Sequence, residues 1–342
     1  MIINKDGTMK NNINETITFD DLLLVPQYSE ILSRKTIDLS SDLDMNRKFF
    51  LPIISSPMDT VTGATMAKAM YKSGGLGVIH RYDSIEKQCD RVRRTGATSA
   101  AAIGVTGDYL DRATALVEVG CEILCVDVAH GHHALMRHAL KTLRNTMGYD
   151  IHIMAGNVAT LEAFNDLADW GANSIRVGIG GGSICSTRIQ TGHGVPTLQS
   201  VMDCSRSDRS ATLIADGGIK TPGDIVKALA AGADFVMLGS MLAGTSESPG
   251  QVFYGENGQY KSYRGMASVE AQIDWRGHTA SVEGVSHTIP YKGSVVEILM
   301  GLEGSIRSGL SYTGALNLSE LRSKSKFIKQ TAAGQTESST HI

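Results

Sequence analysis

Short apolar segments recur along this chain, each followed by a turn and then by a stretch with apolar residues at helical spacing. Eight of them read as strands: Ile53–Ser56, Leu76–His80, Ala101–Val105, Ile123–Val128, Ile151–Gly156, Ser174–Gly178, Thr212–Asp216 and Phe235–Gly239. They are mostly unbroken apolar runs, the pattern of strands covered on both faces. The stretches between them, such as 61–72, 109–119, 160–170 and 222–231, are Ala-rich and amphipathic. Alternating strands and helices imply a parallel sheet, and eight evenly spaced units predict a closed (β/α)8 TIM barrel over a doubly wound open sheet.

The flanks depart from this rhythm. Residues 1–16 are polar and Asn-rich, predicting a loose arm ahead of one barrel domain over 17–330. Within it, Thr18-Phe-Asp-Asp-Leu-Leu-Leu-Val-Pro26 is apolar enough to pack on the barrel's base. After the eighth strand, residues 247–292 form a long insertion that reads as a mobile flap. A last helix is expected over 294–308, and residues 331–342 form a polar, frayed tail.

In such barrels the loops at the strand C-termini build the active site. Those loops hold most of the unusual residues here: Ser56-Pro-Met-Asp-Thr60, His80-Arg81, Gly104-Val-Thr-Gly107, Asp127-Val-Ala-His-Gly131, Gly156-Asn157, Asp216-Gly-Gly218 and Gly239-Ser240. The richest loop runs from Val177 to Pro196 and carries Cys185 among glycines, followed by Ser186, Thr187 and Arg188. A thiol beside hydroxyls and a guanidinium in a backbone that approaches ligands closely has the makings of a nucleophile. A small buried cysteine in a flexible turn is the plainer reading, which the setting disfavours. Asp216-Gly-Gly218 and Gly239-Ser240 follow strands seven and eight, where barrels of this kind bind phosphate through backbone N–H groups.

Charge and cysteine usage narrow the partners. A net charge of −3 gives no electrostatic case for nucleic acid or an anionic membrane. No apolar run reaches membrane-spanning length, and the first residues lack an apolar leader. Five cysteines without framework spacing predict a reducing, cytoplasmic setting. His130-Gly-His-His133 lacks the companions of a zinc site. Cys121 and Cys125 are expected on one face of strand four as core. Trp275 could stack on a ring or cap the flap.

Gly180-Gly-Gly-Ser-Ile-Cys-Ser-Thr-Arg188, with Ser56-Pro-Met-Asp-Thr60, Ala215-Asp-Gly-Gly218, Met237-Leu-Gly-Ser240 and Tyr263-Arg-Gly-Met266, resembles the IMP dehydrogenase/GMP reductase family over residues 17–330. The resemblance implies that Cys185 attacks C2 of a purine nucleotide. It implies Ser183, Gly217, Gly218, Gly239, Ser240 and Tyr263 around the 5′-phosphate, Asp216 at the ribose, and Ser56, Met58, Gly265 and Met266 along the base. Asp127, Asn157 and Arg176, with Arg81, would serve a nicotinamide cofactor. Potassium would sit on the carbonyls of Gly180, Gly182 and Cys185, although Gly181 stands where the family usually has proline. A homotetramer is implied as well.

Two branches share the thiol adduct. In the dehydrogenase branch (IMP, NAD and water to XMP) an Arg-Tyr pair on the flap activates water. In the reductase branch (GMP and NADPH to IMP and ammonia) the Thr of the Cys loop and a flap Glu deliver a proton. Here those are Thr187 and Glu283, with Thr106 as a further participant; the flap has no Arg-Tyr dipeptide, and His80 leads straight into strand three without an inserted regulatory domain. These features resemble GMP reductase. Asp127-Val-Ala-His-Gly-His132, Tyr263-Arg-Gly-Met266 and the tail Ala332-Ala-Gly-Gln-Thr-Glu337 resemble dehydrogenases, which keeps that branch as the alternative. A silent purine-nucleotide sensor would need the phosphate contacts but neither Cys185, Thr187 nor Glu283.

Overall fold

A computed structural model describes residues 14–96, 98–279 and 282–338, and the backbone of 2–3 and 9–10. Ile2–Ile3 and Met9–Lys10 pair as a two-residue antiparallel ladder; the rest of the arm before residue 14 and the tail after 338 lie outside the described residues. Eight parallel strands close into a barrel. They are β1 (Ile53–Ser55), β2 (Leu76–Ile79), β3 (Ala100–Ile103), β4 (Ile123–Asp127), β5 (His152–Val158), β6 (Ser174–Val177), β7 (Thr212–Asp216) and β8 (Phe235–Leu238). Each neighbours the next in sequence, and β8 returns to β1.

Alternation along each strand separates two cores. Ile53, Ile79, Ala101, Leu124, Val126, Ile175, Ala215 and Val236 face outward onto the helices. Ile54, Val78, Ala102, Cys125, Met154, Ile214 and Phe235 fill the barrel's interior. Each large apolar side chain removed from water in this way stabilises the fold by about 1.5–3 kcal/mol.

The helices are α1 (Ala64–Lys72), α2 (Ile85–Thr95), α3 (Tyr109–Glu118), α4 (Ala134–Met147), α5 (Leu161–Asp169), α6 (Thr187–Thr191, inside the Cys185 loop), α7 (Thr197–Cys204) and α8 (Pro222–Ala230). Their starts are written in the sequence. At α8, for example, the Thr221 hydroxyl accepts from Asp224 N–H, the Asp224 carboxylate accepts from Thr221 N–H, and Pro222 occupies the first turn.

The insertion after β8 carries secondary structure of its own. Strands β9 (Phe253–Gly255), β10 (Gly258–Arg264) and β11 (Ser286–Pro290) form an antiparallel sheet, and α9 (Val269–Arg276) lies between β10 and β11. Trp275 on α9 stacks on Tyr82, which follows β2, with ring centroids 4.2 Å apart. Arg264 joins the sheet to the loop after β1 through Asp59 at 2.7 Å and to α9 through Asp274 at 2.6 Å.

Three expectations are corrected. Thr18–Pro26 does not close the base. It runs along the outside, where Lys227 on α8 donates to the Phe19 carbonyl, and Leu22–Leu24 pairs with Phe327–Lys329. The base is plugged instead by the hairpin Ser41–Asp44/Arg47–Phe49, whose Leu43 and Phe49 enter the inner core, with Phe49 edge-on to Phe235 at 6.1 Å. Cys121 precedes β4, so the two-residue alternation does not reach it. It belongs to the outer core while Cys125 belongs to the inner one, and both thiols are buried.

The last barrel helix, α10 (Val295–Thr313), also runs past residue 308. Gly309 does not stop it. A Cβ there would lie 2.7 Å from Val226, so this glycine lets α10 press against α8. The helix ends at Gly314 in the left-handed conformation, φ 67°. Beyond it come α11 (Leu318–Lys324) and a short helix over Ala332–Glu337 within the expected tail.

Candidate active site

Cys185 sits in the loop after β6, and its Sγ donates to Thr187 Oγ1 at 3.1 Å. The Thr187 hydroxyl in turn donates to Glu283 Oε2 at 2.7 Å. Three groups from two distant segments thus form one hydrogen-bonded chain from thiol to carboxylate.

Backbone pairing sets that contact. Cys185 and Gly284 form an antiparallel bridge: Ser186 N–H donates to the Glu283 carbonyl at 2.9 Å, and Val285 N–H to the Ile184 carbonyl at 3.1 Å. The backbones pass closely where the flap docks. A Cβ on Gly284 would lie 3.1 Å from Ser268 N, and one on Gly265 would lie 3.2 Å from Gly284 Cα. Thr106 is not part of this chain. It is exposed on the loop after β3 and hydrogen-bonds neither Cys185 nor Glu283.

Beside the thiol the loops after β6, β7 and β8 converge. Gly217 and Gly218 have φ of 90° and 76°, and a Cβ on Gly217 would lie 3.1 Å from Gly182 N. A Cβ on Gly239 would lie 3.1 Å from Ser56 Oγ, 3.2 Å from the Tyr263 hydroxyl and 3.3 Å from Met58 Sδ. Tyr263 shares a hydrogen bond with Ser183 at 3.3 Å, and burial pushes its phenol above the ordinary range, so it stays a neutral donor. The N–H groups of Gly182, Gly218, Ser240 and Met241 have no acceptor among the described residues. Unpaired N–H groups on neighbouring loops, with hydroxyls beside them, make a candidate anion cradle. The family resemblance put Ser183, Gly217, Gly218, Gly239, Ser240 and Tyr263 around one phosphate, and the loops that carry them meet beside Cys185. Ser56, whose buried Oγ has no partner, borders it with Met58; Met266 Sδ accepts from Asp59 N–H at 3.2 Å.

Under the site lies a charged floor. Arg176 on β6 donates to Asp127 at 2.6 Å, and through Nε and Nη2 to Asp216 Oδ2 at 3.1 and 2.9 Å. Asn157 Nδ2 donates to the same Asp216 oxygen at 2.9 Å. Burial opposes the Arg176 charge, but Cys125, Asp127 and Asp216 outweigh it and hold the guanidinium above its ordinary range. With 6% exposure and its fork spent on two carboxylates, Arg176 lies beneath the site rather than facing a ligand. Asp216 likewise has one oxygen committed, leaving Oδ1 for a ligand.

Arg176→Leu leaves two carboxylates facing each other without their cation. Denaturant unfolding is expected to show about 3–5 kcal/mol lost, and Arg176→Lys, unable to fork, a partial loss. A stability equal to the parent's would show that the floor does not depend on this pair.

Sequence reasoning did not single out Arg264, Tyr82, Lys261 or Lys292 as parts of the site's frame. Tyr82 follows His80-Arg81, and Lys292 stands in Pro290-Tyr-Lys-Gly293, but nothing in those strings says what they touch. His132 pairs with Asp166 at 2.8 Å. Among the described residues no three His, Cys, Asp or Glu side chains gather in one place. No described helix is long and apolar enough to cross a membrane.

Known proteins resemble this chain over nearly its whole length. Residues 16–341 match the IMP dehydrogenase / GMP reductase domain. An inosine-5′-monophosphate dehydrogenase from Nitrosopumilus maritimus is 33% identical, over 96% of this chain and 98% of its own. A GMP reductase from Leishmania major is 32% identical, over 96% and 97%. An inosine-5′-monophosphate dehydrogenase from Cryptosporidium parvum is 37% identical, over 96% of each. The alignment to the Leishmania protein runs to 476 positions against 342 residues here, so that relative carries a long stretch with no counterpart in this chain. The crystal structure of a GMP reductase variant from Trypanosoma brucei in complex with guanosine 5′-monophosphate superposes with a TM-score of 0.93 at 30% identity, covering 96% of this chain and 98% of that one. This chain is therefore a member of the IMP dehydrogenase/GMP reductase family, purine-nucleotide oxidoreductases on a (β/α)8 barrel.

Proposed function

We propose that the protein is a GMP reductase, converting GMP to IMP and ammonia with NADPH as reductant. One observation carries this reading: Thr187 and Glu283 complete a hydrogen-bonded chain that starts at the Cys185 thiol. The order of donors matters. Sulfur donates to Thr187 oxygen and Thr187 donates to a carboxylate, so moving each proton one step leaves a thiolate and a protonated Glu283. The thiolate adds to C2 of the purine. Glu283, through Thr187, then returns the proton to the amine on C2, which leaves as ammonia while Cys185 stays bonded to C2. A reduced nicotinamide, when bound, supplies the hydride that C2 needs for the sulfur to leave again.

The flap groups that a hydrolytic route would call on are engaged elsewhere. Arg276 packs over the Trp275 ring at 4.7 Å, and exposed His278 turns its Nδ1 to the Arg276 carbonyl at 3.0 Å. Residues suited to a nicotinamide dinucleotide are present at the rim. Arg81 lies 4.0 Å from Asp127 and 5.1 Å from the Trp275 ring centre, and its buried Nε has no hydrogen-bond partner. Asp127 and Asn157 would hold the nicotinamide end. The potassium expectation gains no support. Gly182 O accepts from Cys185 N–H at 3.1 Å, and no step is assigned to a cation.

The test is a pair of assays on one preparation: GMP with NADPH is expected to turn over, and IMP with NAD to give little or no XMP. Robust XMP formation without GMP-dependent NADPH loss would move the chain to the dehydrogenase branch. Guanosine is expected to react at least about a thousandfold less efficiently in kcat/KM than GMP, because losing the phosphate leaves several desolvated donors unpaired at about 1–3 kcal/mol each. Comparable efficiencies would refute the cradle.

A further inference from the structure

Two lysines grip the chain as it leaves β8. Lys292, just past β11, donates through Nζ to the Ser240 carbonyl at 2.6 Å and lies 3.4 Å from that of Met241. Lys261 on β10, 2% exposed, donates to the carbonyls of Thr245 at 2.9 Å and Ser248 at 2.5 Å. The Lys292 backbone is itself held, its N–H on the Gly244 carbonyl at 2.9 Å and the neighbouring Gly293 carbonyl on Ser246 N–H at 2.8 Å. No carboxylate pairs with the Lys292 ammonium among the described residues; Glu247 is committed to Ser246, Ser294 and Val295 N–H. Lys292 thus spends its charge on peptide oxygens.

A trans peptide points its C=O and N–H in opposite directions. The ammonium that draws the Ser240 carbonyl therefore turns the Met241 N–H of the same peptide away from itself. That N–H and the Ser240 N–H are among the cradle donors without an acceptor. A cation at the negative end of a peptide dipole strengthens its positive end toward an anion.

We propose that Lys292 is a positioning residue for the substrate's 5′-phosphate, orienting and polarising the Ser240–Met241 turn from behind. The proposal rests on a nucleotide phosphate occupying the cradle, as the proposed function has it, but not on which reaction follows.

The test measures binding of GMP, IMP and guanosine to the full-length protein without cofactor, and GMP turnover, for Lys292→Met, Lys292→Gln and Lys292→Arg. Lys292→Met is expected to weaken GMP and IMP alike by about tenfold, the scale of a charge-assisted hydrogen bond, while guanosine binding and kcat at saturating GMP stay within about threefold. Lys292→Arg should recover most of the loss. If Lys292→Met does not fold, Lys292→Gln gives the same reading. Unchanged GMP and IMP affinity, an equal loss for guanosine, or failure of arginine to rescue a folded variant would each overturn the proposal. GMP and IMP share the phosphate, so a wrong reductase assignment would show in the product assays and leave this pattern intact.

Discussion

Cys185→Ala is expected to lose turnover by roughly 10^4- to 10^6-fold, as enzymes do when a covalent nucleophile is removed, while binding GMP within a few-fold of the parent. The two halves of this expectation come from different loops. The sulfur lies at the end of a chain that can take its proton through Thr187 to Glu283. The affinity is expected from the proposed cradle of the loops after β7 and β8 with Ser183 and Tyr263. Removing Sγ deletes the bond to C2 and leaves the phosphate donors in place. Steady-state rates and equilibrium binding on the same preparation decide it. Turnover within a few-fold of the parent would mean that C2 is not activated through this sulfur.

Glu283→Gln should lower GMP-dependent turnover by roughly a hundredfold or more, the usual worth of a positioned acid–base group. The amide keeps the size and the hydrogen bond to Thr187 but can neither accept nor return the proton. The backbone bridge between Cys185 and Gly284 does not involve this side chain, so flap docking and stability should be unaffected. Thr187→Val should cause a loss of the same kind, because it interrupts the only hydroxyl between sulfur and carboxylate in this chain. A Glu283→Gln enzyme with full kcat would leave the leaving amine with another proton source.

The barrel was legible because each strand is buried on both faces, so composition alone marks Ile53, Val78, Ala102, Val126 and Ile214 as core. The loops at the strand ends could be placed once eight strands were counted. Other features depended on contacts that no local pattern records. No signal in the sequence marked the hairpin that carries Leu43 and Phe49, yet these two plug the base. The last helix was expected to end at residue 308, but α10 runs on through Gly309, where Val226 leaves no room for a side chain. The family resemblance set Arg176 against the cofactor; its burial between Asp127 and Asp216 appears only when β4, β6 and β7 are side by side. Glu283 is 98 residues beyond Cys185, and spacing could not join them; the family resemblance nominated it, and the bridge at Gly284 brings it to Thr187.

The most direct measurement of the central claim is the ammonia released from GMP against the NADPH consumed in the same reaction. If Thr187 and Glu283 deliver a proton to the leaving amine, the two should match one for one, IMP should appear at the same rate, and Glu283→Gln should slow all three together. NADPH loss without ammonia, or XMP formed from IMP and NAD while GMP is left untouched, would contradict it.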